Sequence, residues 1–334
     1  MTVNNLGDLS HSYTSRQRNV TLRQDIERLT NELATGTVSD VRDVLAGNHS
    51  YLTDLERRAD ILDSYDVSTT EARIYTTSVQ DVLGVVDDYS SELSSNLIVA
   101  GTSAIGNLSS ETAAAARQSL ESIVGVVNTK TAGRFLFSGI QTDQRPLPDT
   151  DTILTALRTA VAGAATPDDL LIAAKAWFDD PAGFDATVYQ GGDVPLARFN
   201  LSESDTVTVD VRATEPRLRE VIELAAVAAI AGDPAFGFDE ETQSELFHKT
   251  GSALLGAQED LIALRAGVGF SEATIEKVSA RNAAELTSIE FAKAALLEVD
   301  PFEAATRLEE AQFQLQSLYS VTVRMSQLSL VNFL

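Results

Sequence analysis

The sequence predicts a mainly α-helical protein in which helices from the two ends of the chain pair around a small β-containing insert. Two observations predict this fold class. Apolar residues recur every three or four positions over long stretches of both halves of the chain, and this spacing forms one apolar seam along a helix. A shorter central stretch alternates apolar and polar residues instead, which is typical of strands. The expected architecture is therefore a nested helical bundle with a small insert.

Both ends of the chain carry an apolar seam that requires a partner helix. The N-terminal seam has spacings of four, three and four, at Leu22, Ile26, Leu29 and Leu33. The C-terminal seam runs for three heptads and ends in an apolar tail, and its residues include Leu308, Leu315, Leu318, Met325, Leu328, Leu330, Phe333 and Leu334. Terminal helices without a large core of their own are marginal in isolation. We therefore expect these residues to form an assembly interface.

Two further seams lie inside the chain, at residues 65–97 and 247–268. We expect them to close the bundle of the monomer, because a seam of this kind is more often covered within one chain than between chains. The predicted division has three parts: a terminal coiled-coil domain (1–46 and 300–334), a helical bundle with short strands (47–145 and 215–299), and an α/β inserted outer domain (146–214).

Capping and breaking residues mark the limits of several helices. Gly36 is expected to end the first helix, Pro216 to begin one, and the Asp300-Pro301 pair to begin the last, because Asp caps a helix and Pro suits its first turn. The segment 150–178 reads as Ala-rich helix. The segment 186–212 reads as β.

Composition excludes several classes of function. The net charge is −24, and an acidic chain repels phosphate backbones, so we expect no nucleic-acid partner. No apolar run approaches the roughly 20 residues of a membrane span, so no membrane partner is expected. The chain has no Cys, and its first residues contain no apolar run fit for a signal peptide. The protein is therefore either cytoplasmic or exported by a route that does not read such a signal.

No catalytic, cofactor-binding or metal-binding site is predicted. The three histidines, His11, His49 and His248, are far apart and fit no metal-ligand spacing. The pairs Asp149/Asp151 and Asp179/Asp180 are expected to be solvated loop charges and caps. We therefore expect no cofactor and no enzymatic activity. A secreted coiled-coil effector or enzyme with its activity in the segment 150–215 is a remote alternative.

Four segments carry a resemblance to a known family. They are NTKTAGRFLFSGIQT (128–142), TVYQGGD (187–193), LRAGVGFSEATIE (264–276), and EVDPFEAATRL with the terminal SLVNFL (298–308 and 329–334). Together they resemble the flagellin superfamily, and within it the hook-filament junction proteins, the third hook-associated proteins of bacterial flagella. The family signature lies at Gly133, Arg134, Phe135, Leu136, Phe137, Ser138 and Gly139.

The resemblance implies a structural protein of the bacterial flagellum. Such a protein forms a ring of identical subunits between the first hook-associated protein and the flagellin filament. It is extracellular and exported by the flagellar type III pathway without a cleaved signal peptide, and an export chaperone binds its C-terminal helix. Residues 36–47 depart from the family pattern, and residues 150–185 have no counterpart in it. A filament flagellin is the alternative within the superfamily.

Overall fold

A computed structural model describes residues 4–40, 49–102, 108–196 and 198–331. The described helices are α1 (Asn4–Thr35), α2 (His49–Thr102), α3 (Leu108–Val127), α4 (Thr150–Ala160), α5 (Pro167–Asp179), α6 (Phe184–Thr187), α7 (Pro216–Ile230), α8 (Glu240–Leu297) and α9 (Pro301–Val331). The strands are β1 (Lys130–Thr131), β2 (Arg134–Phe135), β3 (Phe199–Asn200) and β4 (Thr206–Val207). The predicted mainly α, flagellin-like fold class with a small β-containing insert is confirmed. None of the described helices has an apolar stretch of the length that crossing a bilayer requires.

The chain divides into two compact units. We call residues 1–62 with 284–334 the terminal unit and residues 63–283 the central unit, after their places in the sequence. Helices α2 and α8 each contribute residues to both units. The division into three parts at the boundaries given above stays a prediction.

In the terminal unit, α1 packs against α9. Gly36 ends α1 with a left-handed φ of 72°, and its N–H donates to the carbonyl of Glu32 over 2.8 Å. An αL residue of this kind is a common helix C-cap. The chain then pairs antiparallel with the α8–α9 connection through a bridge between Thr37 and Glu298. Helices α1 and α9 are thus antiparallel, and the predicted break at Gly36 is confirmed.

Helix α9 begins where the sequence predicts. The Asp300 carboxylate accepts hydrogen bonds from the N–H groups of Phe302 (2.9 Å) and Glu303 (3.2 Å), and Pro301 occupies the first position. These contacts satisfy two of the N–H groups that a helix start leaves without a partner. The predicted start of the last helix is therefore confirmed.

The central unit is built on an antiparallel contact between α2 and α8. Ser94 Oγ donates to the carbonyl of Gly251 over 2.8 Å, and Gln80 Nε2 donates to the carbonyl of Arg265 over 2.6 Å. Both inner seams are buried along this contact, including Thr76 and Thr250. The prediction that the inner seams close the bundle of the monomer is confirmed.

Helix α7 is the most completely buried helix of this unit. It packs against α3, α4 and α5. Pro216 occupies its first turn and the Glu215 carboxylate caps it, accepting from the N–H groups of Arg217 (2.8 Å) and Leu218 (3.2 Å). Ten of its side chains are buried, so it forms the centre of a single apolar cluster that runs through the central unit.

The helical prediction for residues 150–178 holds for two helices rather than one. Asp149 caps α4 by accepting from the N–H of Thr152 over 2.9 Å, and Thr166 caps α5 by accepting from the N–H of Asp169 over 3.1 Å. The intervening residues turn the chain. Asp149 is thus a cap, as predicted.

The β prediction for residues 186–212 is largely wrong. Among the described residues of this segment, only Phe199–Asn200 and Thr206–Val207 pair, in a short antiparallel ladder with Phe199 opposite Val207. The alternating residues Val207, Val209 and Val211 are buried as a strand pattern requires. Beyond Val207 the backbone finds its partners elsewhere, since the N–H of Ala213 donates to the carbonyl of Phe137 over 3.0 Å. Alternating burial therefore arose here without an extended sheet.

Candidate assembly surfaces

The predicted terminal seam lies partly between α1 and α9. Leu29 is buried, and Arg23 of α1 donates to the Tyr319 hydroxyl of α9 over 2.7 Å. Half-buried members of the seam are Leu22, Ile26, Leu308, Leu315 and Leu318. Leu33 and Met325 are exposed. The side chains of Leu328 and Leu330, and the residues Phe333 and Leu334, lie outside the described part of the chain. As assembly residues all of these stay predictions.

The terminal unit exposes large apolar side chains beyond this seam. Phe302 and Phe313 of α9 are 83 % and 70 % exposed, and Phe291 of α8 is 72 % exposed. Tyr13, Val20, Tyr51, Ile61, Val321 and Val323 are exposed as well. Contiguous exposed apolar patches are typical of protein-binding surfaces, so these residues are candidates for such a surface. The sequence interpretation missed the exposed phenylalanines, because they lie outside the a and d positions of the heptads.

Charge is nearly balanced on these two helices. Helix α1 contains four acidic and four basic residues, and α9 contains three acidic and two basic residues. The whole chain carries −24. Helices α1 and α9 therefore contribute little to the net negative charge of the chain.

The family signature forms a hairpin with a two-residue turn. Lys130 pairs with Phe135 and Thr131 with Arg134. The turn residues Ala132 and Gly133 both have positive φ, of 50° and 81°. This backbone matches the twist of a tight hairpin, and glycine adopts it without strain.

The signature is anchored on α2 and in the core of the central unit. The Tyr75 hydroxyl donates to the carbonyl of Leu136 over 3.0 Å, and Arg134 forms a 2.7 Å ion pair with Glu71. Phe137 and Ser138 are fully buried, and Leu136 is buried. The second half of the signature, from Leu136 to Gly139, is therefore buried within the central unit.

Two of the segments that resembled the family lie in direct contact. Gly139 has a φ of 58°, and a Cβ atom at this position would come within 2.5 Å of the carbonyl oxygen of Val194. The N–H of Gly192 donates to the carbonyl of Ser138 over 2.8 Å, and the Tyr189 hydroxyl donates to the carbonyl of Phe137 over 3.3 Å. The turn 187–193 thus packs on the signature, and both sets of glycines allow this close approach.

The third segment joins the two long helices. Arg265 lies over Gly84 and forms a 3.3 Å ion pair with Asp87 of α2. A Cβ atom at Gly84 would lie 3.4 Å from a guanidinium nitrogen of Arg265, which is an ordinary van der Waals contact. This segment therefore positions α8 on α2.

A second apolar surface lies on the outer face of α8 within the central unit. Leu255, Ile262 and Phe270 are exposed and follow one another by seven and eight residues, which places them on one face of the helix. Gly256 and Gly267 flank this face, and nothing lies within 4 Å of a Cβ built at either. A glycine inside a helix costs about 1 kcal/mol relative to alanine, and no contact with the described residues requires it at these two positions.

A groove of about 430 Å³ lies between α2 and the signature hairpin. Its apolar lining includes Val67, Ile74 and Leu196, and its charged residues Glu71 and Arg134 are paired with each other. The two charged residues that line this groove therefore neutralise each other.

No metal centre is found among the described residues, where no group of three or more acidic, His or Cys side chains is arranged to hold an ion. His49 and His248 are exposed, and the side chain of His11 is outside the described part. Asp180 ends α5, with its N–H donating to the carbonyl of Ala176 over 3.0 Å.

A family comparison matches the C-terminal part of the chain. Residues 253–334 match the family described as the bacterial flagellin C-terminal helical region. The C-terminal quarter of the chain is therefore similar to a flagellin C-terminal region. The resemblance of this sequence to the flagellin superfamily is thereby confirmed. The matched residues include the outer face of α8 from Leu255 onward and the whole of α9.

Solved structures share the fold of this flagellin-like chain. The crystal structure of FlgL from Bacillus cereus has a TM-score of 0.50 and 14 % identity, covering 72 % of this chain and 99 % of that one. A putative flagellar hook-associated protein from Vibrio parahaemolyticus has a TM-score of 0.48 and 14 % identity, covering 75 % and 99 %. No curated protein matches the sequence. At this identity the likeness to FlgL shows the fold.

Proposed function

We propose that this protein is a structural, non-enzymatic adaptor of the bacterial flagellum, which forms a ring between a hook-associated protein and the flagellin filament. Helix α9 carries the proposal: it lies within the flagellin C-terminal region and exposes Phe302 and Phe313 in the free chain. A helix of an assembling family with uncovered aromatic residues needs a neighbouring subunit to cover them.

The mechanism is mechanical. Each copy buries the exposed side chains of α1 and α9 against its neighbours, and covering one large apolar side chain contributes roughly 1.5–3 kcal/mol. The central unit needs no neighbour to fold, because its seams are already closed. We infer that this division lets the central unit stay folded outside the ring while α1 and α9 remain available to neighbouring copies.

The partners follow from the resemblance to hook-filament junction proteins. They are the first hook-associated protein on one side, flagellin on the other, identical copies around the ring, and an export chaperone that binds the C-terminal helix before secretion. The corresponding location is extracellular, reached by the flagellar type III pathway. The likeness of the fold to FlgL supports this set.

The proposal is tested with a double substitution, Phe302→Ser with Phe313→Ser, introduced into the flagellated source bacterium in place of the natural gene. Both residues are exposed, so we expect the protein to fold and to be exported. We expect most hooks to lose their filaments and flagellin to be released into the medium. Electron microscopy of isolated hooks and quantitation of secreted flagellin measure the two effects.

Ile172→Ser is the matched control, because Ile172 is 68 % exposed on α5 of the central unit and lies in the predicted insert. Filaments should be normal in this strain. Normal filaments in the double variant, with the protein exported at the natural level, would falsify the proposal.

Copy number separates the adaptor from a filament flagellin. Quantitative mass spectrometry of sheared natural flagella should find this protein scarce relative to the dominant filament protein. Dominance of this chain in the filaments would identify it as a flagellin instead.

A further inference from the structure

Helix α7 contains one buried charged residue among its apolar side chains. Glu223 is 4 % exposed and lies between Ile222 and Leu224 in the helix at the centre of the core. A carboxylate at such a position loses most of its hydration, which favours the neutral acid.

A cluster of charged groups surrounds this residue where α5 and α6 meet α7. Arg219 of α7 forms ion pairs with Asp179 of α5 (2.8 Å) and with Asp185 of α6 (3.5 Å). Lys175 of α5 forms a 3.5 Å ion pair with Asp179. Lys175 also exerts the largest opposing charge effect on Glu223.

The cluster holds more acidic than basic groups. Its acids are Asp179, Asp185, Asp193, Glu220 and Glu223, and its bases are Lys175, Arg212 and Arg219. Two negative charges are therefore in excess when all five acids are ionised. The cations of α3 and α4 do not offset them, because Arg117 pairs with Asp151 and Arg158 pairs with Asp233.

Protonation relieves this excess. Burial, opposed in part by Lys175, raises the pKa of Glu223 to about 7. Burial also raises the pKa of Asp185 above its ordinary value, against the effect of Arg219. Because the pKa of Glu223 is higher in the folded chain than its ordinary value of 4.5, the stability that its neutral form contributes is lost as the pH rises from about 4.5 to about 7.

We propose that this cluster is a pH-sensitive clasp between α5 and α7. It holds α5 on α7 most tightly in acid, where Glu223 is protonated, and loosens as the pH rises from about 4.5 to about 7, because opening the clasp exposes Glu223 and lets its carboxylate ionise. The clasp acts on α5, which lies in the segment 150–185 that the resemblance to hook-filament junction proteins leaves without a counterpart.

Hydrogen exchange of the full-length monomer, followed by mass spectrometry between pH 5.5 and 8.5, tests the clasp. After correction for the intrinsic pH dependence of exchange, protection of α5 should fall about tenfold or more relative to α3, as a shift of more than one pKa unit implies. In Glu223→Gln, which is neutral at every pH, the ratio of α5 to α3 protection should stay constant. Asp143→Asn removes an exposed acid outside the cluster and should behave as the natural protein does.

A second variant keeps the proposal testable if Glu223→Gln fails to fold. Lys175→Met removes the cation that favours the carboxylate, so the pH at which α5 loses protection should move upward. The clasp is refuted if α5 protection in the natural protein does not change with pH. It is equally refuted if Glu223→Gln retains the natural pH profile, or if Lys175→Met leaves the midpoint in place.

Discussion

The central and terminal units share one apolar spacing along their helices but bury it to different extents. In the central unit the seam of α2 is closed, and Thr76, Leu83 and Leu97 have no exposed surface. In the terminal unit Leu29 is buried, yet Leu33, one turn later, is 41 % exposed. Two paired helices cover only the stripe between them, whereas helices of a bundle are covered from several sides. Heptad spacing therefore indicates that a helix needs a partner without showing whether the partner belongs to the same chain.

The aromatic residues of the two units differ in the same way. Phe137, Phe178 and Phe184 of the central unit are fully buried, and the last two stack with ring centroids 4.7 Å apart. The phenylalanines Phe302 and Phe313 of the terminal unit are exposed. Burying a phenylalanine stabilises the fold of the monomer in the first case and, under the proposed function, the contact between subunits in the second.

The largest expected effect comes from replacing a buried phenylalanine of the central unit and comparing the loss of stability with that of an exposed phenylalanine of the terminal unit. Phe137→Ala leaves a cavity in the core and should lower the free energy of unfolding of the central unit by about 3–5 kcal/mol. Phe313→Ala removes an exposed ring and should change it by less than about 0.5 kcal/mol. Urea unfolding followed by the fluorescence of Trp177, the single tryptophan, reports on the central unit. Equal losses in the two variants would break the comparison.

Two glycines of the signature allow the cost of a steric clash to be compared with the cost of backbone strain within the central unit. Gly139→Ala should cost at least about 2 kcal/mol, because its Cβ would lie 2.5 Å from the carbonyl oxygen of Val194 and its φ is 58°. Gly133→Ala has a φ of 81° but open space around it, so only the backbone strain of about 1–2 kcal/mol applies. Thermal unfolding of both variants measures the difference. A larger loss for Gly133→Ala would show that steric contact with residues 192–194 does not hold the signature in place.

The smallest expected effect concerns the hydrogen bond that attaches the signature to α2. Tyr75→Phe keeps the ring and removes the hydroxyl that donates to the carbonyl of Leu136. We expect a loss of about 1 kcal/mol, since the carbonyl keeps its burial and loses its partner. The same urea titration of Trp177 fluorescence measures it. An unchanged midpoint would mean that the contact contributes nothing to the stability of the central unit.

Capping and breaking residues in the sequence correctly predicted where several helices begin and end. Asp300 and Pro301 begin α9, Pro216 begins α7, and Gly36 ends α1, because caps and breakers act on neighbouring backbone groups. The β prediction for residues 186–212 failed for the opposite reason. Alternation of Val207, Val209 and Val211 reports burial, and the backbone partners of the segment come from distant parts of the chain.

The sequence predicted some of the candidate assembly surfaces and missed another. The seams at Leu22–Leu33 and Leu308–Met325 were visible in the sequence as periodic apolar residues. The exposed face of Leu255, Ile262 and Phe270 was not, although its spacing is also helical, because the buried seam of the same helix dominates the pattern. Which of two apolar faces stays uncovered depends on the helices packed around them.

By itself the sequence determined the mainly α class, the helix starts and ends noted above, and the resemblance of the segments around Gly133 and Arg265 to the flagellin superfamily. These features depend on residues close together in the chain. Only the tertiary structure decided which seams are closed, that the signature packs on the turn at 187–193, and that Glu223 is buried beside Lys175. These depend on contacts between residues tens of positions apart, and burial, desolvation and charge pairing arise only when such residues meet.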